Sequence, residues 1–163
     1  MSIESKLSVS YKAIAAQVSS MIPVAWDIFY LHSDISDESG SVYFYYKKTG
    51  DSENLYYSQN ILKDIGIDKR TFNLVLYDLL KLLQKMRNTF IEESVPEWYT
   101  FSMSVTAKGK MKADFGYISW QKSEFSSTEL RQYFVYKFIG KEYSDSSLLD
   151  KMEEMSLYEE QNK

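Results

Sequence analysis

Trp98-Tyr99-Thr100-Phe101-Ser102-Met103-Ser104-Val105-Thr106 alternates apolar and hydroxyl-bearing side chains along nearly its whole length. Successive side chains of a strand point to opposite faces, so Tyr99, Phe101, Met103 and Val105 share one face and Thr100, Ser102, Ser104 and Thr106 the other. That second face is expected to be wet. Ala107-Lys108-Gly109 then turns the chain into Met111, Ala113, Phe115 and Tyr117, which alternate with Lys110, Lys112 and Asp114 as an antiparallel partner should.

Upstream, Trp26 to Leu31 and Val42 to Lys48 are rich in aromatic and β-branched residues, and Asp34-Ile35-Ser36-Asp37-Glu38-Ser39-Gly40 between them reads as a turn. They are expected to pair as a hairpin. Thr49-Gly50-Asp51-Ser52 is a second turn signal before a short third strand at Leu55-Tyr56-Tyr57. Helical spacing appears in four places. Ile3, Leu7, Tyr11, Ile14, Val18 and Met21 form one stripe that ends before Pro23. Asp68 can cap a long helix carrying Phe72, Val75, Leu76, Leu79, Leu82, Leu83, Met86 and Phe90. Ser126 and Glu129 have the spacing of a capping box ahead of Leu130, Tyr133, Phe134 and Phe138, with Gly140 placed to stop the helix. A last helix, Ser146 to Tyr158, carries Leu148, Leu149, Met152 and Met155 among acidic residues. The order α-β-β-β-α-β-β-α-α, with strands grouped in hairpins, predicts the α+β class: an antiparallel sheet of about five strands packed against helices.

The 163 residues suit one domain, 1–163, which at that size buries about two thirds of its unfolded surface. With 44% hydrophobic and 16% aromatic residues the chain is far from the composition of disorder. No apolar run approaches the roughly 20 residues that cross a bilayer, and the start lacks the layout of a signal peptide, so a cytoplasmic location is expected. Zero Cys excludes disulfides, thiolate nucleophiles and Cys-type zinc sites. The charge is uneven: residues 1–140 hold 16 basic and 16 acidic side chains, whereas the tail from about 141 holds 3 basic and 7 acidic, which accounts for the net −4. An acidic balance disfavours a protein that tracks phosphate backbones and suits a basic protein partner.

Clusters able to move protons, attack or hold metal are scarce, and the chain is read as no enzyme, with no catalytic, metal or cofactor site. His32 is the only histidine and reads as an ordinary polar strand residue. Asp34, Asp37 and Glu38 lie close together but lack EF-hand spacing; they read as a solvated turn or a partner contact. The six glycines form no phosphate-cradling motif. Lys108, Lys110 and Lys112 make a basic strip that a single-stranded RNA could use, a weak footprint beside Asp114. In Val42-Tyr43-Phe44-Tyr45-Tyr46 both strand faces carry rings, which are either sandwiched in the fold or part of a Tyr-rich binding patch.

Taken together, Met21-Ile22-Pro23-Val24-Ala25-Trp26 after an amphipathic helix, Val42-Tyr43-Phe44-Tyr45-Tyr46-Lys47, the helix from Phe72 to Phe90, Gly109-Lys110-Met111-Lys112-Ala113-Asp114-Phe115-Gly116-Tyr117, and Arg131-Gln132 leading to Tyr136-Lys137-Phe138-Ile139-Gly140 resemble the YezG-like immunity proteins. The chain departs from that pattern at Pro96-Glu97-Trp98-Tyr99-Thr100, where the family has Pro-Trp-Thr, and in lacking a Pro soon after Gly140. The resemblance implies an antitoxin whose partner is the C-terminal toxic domain, a nuclease, of a cognate toxin exported by a type VII secretion system. The partner-binding residues expected on this reading are Asp34, Asp37, Glu38, Asp51 and Glu53 in the two turns, with Tyr43 and Tyr45 as aromatic anchors. The alternative is a small RNA-binding module on the lysine strip.

Overall fold

The computed structural model describes all of residues 1–163, which fall into two compact units, Met1–Phe115 and Gly116–Lys163. The first unit begins with helix α1, Ile3–Met21, capped by Ser2, whose side chain accepts from the Ser5 N–H. Its stripe delivers Ile14, Val18 and Met21 to the interior, and the chain turns extended at Ile22 ahead of Pro23. Strands β1, Trp26–Ile35, and β2, Gly40–Lys48, pair antiparallel, and Tyr56–Tyr57 (β3) adds a two-residue edge to β2. A short helix α2, Ile61–Ile65, intervenes before the long helix α3, Lys69–Glu92. As expected, Asp68 caps α3: its carboxylate accepts from the Thr71 N–H at 2.9 Å and the Thr71 hydroxyl at 2.7 Å. Strands β4, Thr100–Thr106, and β5, Met111–Gly116, complete one sheet in the order β3-β2-β1-β4-β5, so the antiparallel five-stranded α+β architecture is as the residue pattern predicts.

Register decides which side chains reach the core. Leu31 lies opposite both Phe44 and Met103, and Phe29 opposite Tyr46 and Val105, so one face of the sheet presents a continuous apolar layer. Against it α1 and α3 place Ile14, Val18, Phe72, Leu79, Leu83 and Met86, all essentially without exposure. Each such large side chain contributes about 1.5–3 kcal/mol by leaving water. Trp98, just before β4, is fully buried among Phe101 and Phe115, each with its ring centre 5.8 Å from the indole.

The other sheet face is drier than its hydroxyl pattern suggests. Thr100 and Ser102 are buried, the latter against His32, its register partner on β1.

The second unit has a core of its own. Ile118, Trp120, Tyr133, Met152 and Met155 are joined by Phe125, Leu130, Tyr136 and Tyr158, with Trp120 ring centres 5.5 Å from Tyr133 and 5.3 Å from Tyr158. Helix α4, Ser127–Phe134, carries the expected capping box of Ser126 and Glu129, and a π-helical turn, Val135–Ile139, leads to Gly140 at φ +88°, the left-handed stop that a glycine supplies at no steric cost. Helix α5, Ser146–Asn162, is capped by Asp145 and runs beyond the expected Tyr158. No helix is long and apolar enough to cross a membrane.

Candidate functional site

The turn between β1 and β2 is tighter than the seven polar residues of the sequence imply. Only Ser36-Asp37-Glu38-Ser39 lie outside the strands, closed by the Ser36 N–H donating to the Ser39 carbonyl at 2.8 Å and the Ser39 N–H to the Ser36 hydroxyl at 3.1 Å. Asp34 is therefore a strand residue, opposite Ser41 and Thr100 and 9% exposed, whereas Asp37 and Glu38 stand out at the tip.

One side chain ties this tip to the body. Arg87, on α3, is 5% exposed; its Nε donates to the Trp98 carbonyl at 2.8 Å and its Nη1 to Asp37 Oδ1 at 2.9 Å. The guanidinium carbon lies 5.9 Å from the centre of the Tyr99 ring, and the Tyr99 carbonyl accepts from the Ile35 N–H at 2.8 Å. Asp37, Glu38 and exposed Glu97, the residue before Trp98, thus lie at one end of the sheet, where Arg87 pairs with Asp37, while Asp34 is nearly buried in the adjoining strand. Arg87 is not among the residues that composition and spacing single out. The signal was present: it falls four residues after Leu83 in the apolar stripe of α3, where a charged group needs a buried partner.

Asp51 and Glu53 lie at the opposite end. Nine-residue β2 separates them from Asp37, its eight steps of about 3.3 Å spanning roughly 26 Å. Asp51 is an internal brace: its carboxylate accepts from the Asn54 side chain and N–H, the Glu53 N–H and, at 2.8 Å, the Tyr56 hydroxyl. The Asn54 side chain, followed by Tyr56, holds the Asp51 carboxyl below its ordinary range, and the same bond raises the Tyr56 phenol. Glu53 is exposed. Lysines share this end: Lys48 sits 4.2 Å above the Tyr56 ring, and Lys108 and Lys110 are exposed on the turn joining β4 to β5. Lys112 is exposed farther along β5, as is Asp114. Asp27 belongs here too, its carboxylate accepting from the Gly50 N–H and its carbonyl from the Ala107 N–H.

Tyr43 and Tyr45 lie between the two ends, on the sheet face opposite α1 and α3, and both are half-buried. Their rings form a cluster with Tyr57, at 5.1 Å from Tyr45 and 6.2 Å from Tyr43. His32 joins it, 5.5 Å from Tyr43, with Nδ1 2.9 Å from the Ser102 hydroxyl. Burial pushes its imidazole down to about 4, so it is neutral at pH 7. No three carboxylate or imidazole groups converge to hold a metal ion.

Comparison with known proteins gives a consistent picture. A family model described as immunity protein YezG-like matches residues 7–153, a stretch that runs through both compact units. The type VII secretion system protein EsaG of Staphylococcus aureus is 35% identical over 158 residues, 97% of this chain and 96% of the relative. Immunity protein YezG of Bacillus spizizenii is 28% identical over 83% of each chain, and its Bacillus subtilis counterpart 25% identical over 80% of this chain and 85% of its own.

Proposed function

Because the chain belongs to the YezG-like immunity-protein family, we propose that it binds the toxic domain of a cognate toxin, a nuclease exported by type VII secretion, and occludes its nucleic-acid groove before export. Both units act in this as one immunity module. A nuclease holds its substrate with a basic groove. The observation that carries the reading is the polarity of the sheet: Asp37, Glu38 and Glu97 are exposed at the β1–β2 end, with Asp34 in the strand behind them, and the cation that pairs with Asp37 is buried beneath. A tip of that sign attracts a basic groove and speeds encounter, while well-packed side chains around it set the residence time.

Within the wider set of expected contacts, Asp51 is occupied in holding its own turn, which leaves Glu53 as the carboxylate available there. A standard interface of about 800 Å² per partner is roughly 30 Å across, so one partner can meet both ends, with Tyr43 and Tyr45 between them as anchors. The RNA-binding alternative on Lys108, Lys110 and Lys112 has less support, since Lys108 and Lys110 share their end of the sheet with Asp27, Asp51 and Glu53, and Lys112 is followed on its strand face by exposed Asp114. The test is to measure association of the toxin domain with Glu38→Lys/Glu97→Lys and with Lys108→Glu/Lys110→Glu. Slower, less salt-dependent association for the first pair alone supports the acidic tip; the reverse pattern refutes it.

A further inference from the structure

We infer that Arg87 is a positioning residue for partner binding, one that fixes the β1–β2 turn and offsets the charge of Asp37 so that Glu38 is the carboxylate of that turn the partner meets. The inference rests on the reading that the acidic tip faces the toxin. Arg87 reaches two separate segments at once, the Trp98 carbonyl ahead of β4 at 2.8 Å and the Asp37 carboxylate in the tip at 2.9 Å. The arginine is almost wholly buried, whereas the Asp37 side chain is 83% exposed, so the cation holds the carboxylate from beneath. A guanidinium carries its donors in a rigid fork, and two bonds to different segments fix their separation as a flexible ammonium would not. A tip held before encounter loses less conformational freedom on binding, which lengthens the life of the complex.

Two opposed effects follow from removing Arg87. The tip loosens, which raises the dissociation rate. The Asp37 charge is also no longer offset, so the tip becomes more negative and association with a basic partner stays level or quickens.

The experiment is surface kinetics of the intact chain on the cognate toxin domain, with Arg87→Met, Arg87→Lys, Asp37→Ala, Glu38→Gln and the double variant Arg87→Met/Asp37→Ala. The expected result is dissociation about tenfold faster for Arg87→Met with association undiminished, and partial recovery in Arg87→Lys. The double variant should lose no more than the worse single one, because both changes break the same link. Glu38→Gln should slow association and lower its salt dependence. If Arg87→Met lowers only the binding-competent fraction while the remainder dissociates at the native rate, Arg87 is merely structural and the inference is overturned; additive losses overturn it too. Should Arg87→Met not fold, Asp37→Ala decides: native dissociation rates there reject positioning through this link. Unchanged association for Glu38→Gln, with faster dissociation for Arg87→Met, would instead reject the assignment of Glu38. Native rates in every variant would remove the β1–β2 turn from the interface altogether.

Discussion

His32 makes the fold sensitive to mild acid. It sits on β1 between the Tyr43 ring and the Ser102 hydroxyl, and burial moves its imidazole from 6.5 to about 4. In the unfolded chain it takes up a proton as the pH falls through about 6.5, while the folded chain resists until about 4. Protons therefore favour the unfolded state across that window, and stability falls as the pH falls. With these two values, linkage gives a loss of about 2 kcal/mol between pH 7 and pH 5. Below that range other groups join in. Asp51, Asp68, Glu93 and Glu129 are held below their ordinary values, first by hydrogen bonds from Asn54, Thr71, Lys6 and the Ser126 N–H respectively. Their contributions are present above the unfolded carboxyl range and are lost on descending through it, so between pH 7 and 5 the histidine dominates. The assay is urea unfolding at half-unit steps over that interval, for the native chain and for His32→Gln, which keeps a polar group beside Ser102. The native chain should lose about 2 kcal/mol and the variant should be nearly flat. Equal slopes in the two proteins would refute the burial of a neutral imidazole.

Other consequences follow from the backbone and the core. Ser94 ends α3 at φ +57°, with the Val95 N–H donating to the Phe90 carbonyl and the Ser94 N–H to the Ile91 carbonyl, a closure that favours glycine. Ser94→Gly should raise stability by about 1 kcal/mol in urea unfolding, and an unchanged or lower midpoint would contradict the assigned geometry. Leu83 has no exposure beneath the sheet, and Leu83→Ala should cost about 2–5 kcal/mol with an unchanged urea dependence; a loss under 1 kcal/mol would mean the helix layer is loosely packed.

The elements legible in the sequence were those with long, regular spacing. Phe72 to Phe90 keeps one apolar face for five turns, and Phe101 to Val105 alternates without interruption, so α3 and β4 followed from periodicity and their antiparallel neighbours from the turns between. Short elements were less visible. Ile61-Leu62-Lys63-Asp64-Ile65, which forms α2, is too brief to show a helical period. Polar residues misled in another way: Asp34 looks like part of a turn, yet Ile35 beside it is buried, which carries the strand through both.

The candidate site was less legible for the same reason. Carboxylates can be counted along a chain, but whether two turns fall at the same end of a sheet depends on strand order and length. Asp37 and Asp51 are fourteen positions apart in sequence and lie at opposite ends of β2, whereas Arg87 meets Asp37 across fifty. What distinguishes Asp51 from Glu38 is the set of donors around it, which only the folded loop supplies.

Neutralisation of a toxin is best tested by titrating the toxin encoded beside this protein's gene, following nucleic-acid cleavage and binding heat together. A tight stoichiometric complex is expected, in which cleavage falls to background as the protein reaches equivalence. Full cleavage in the presence of excess protein, with no heat of binding, would contradict it.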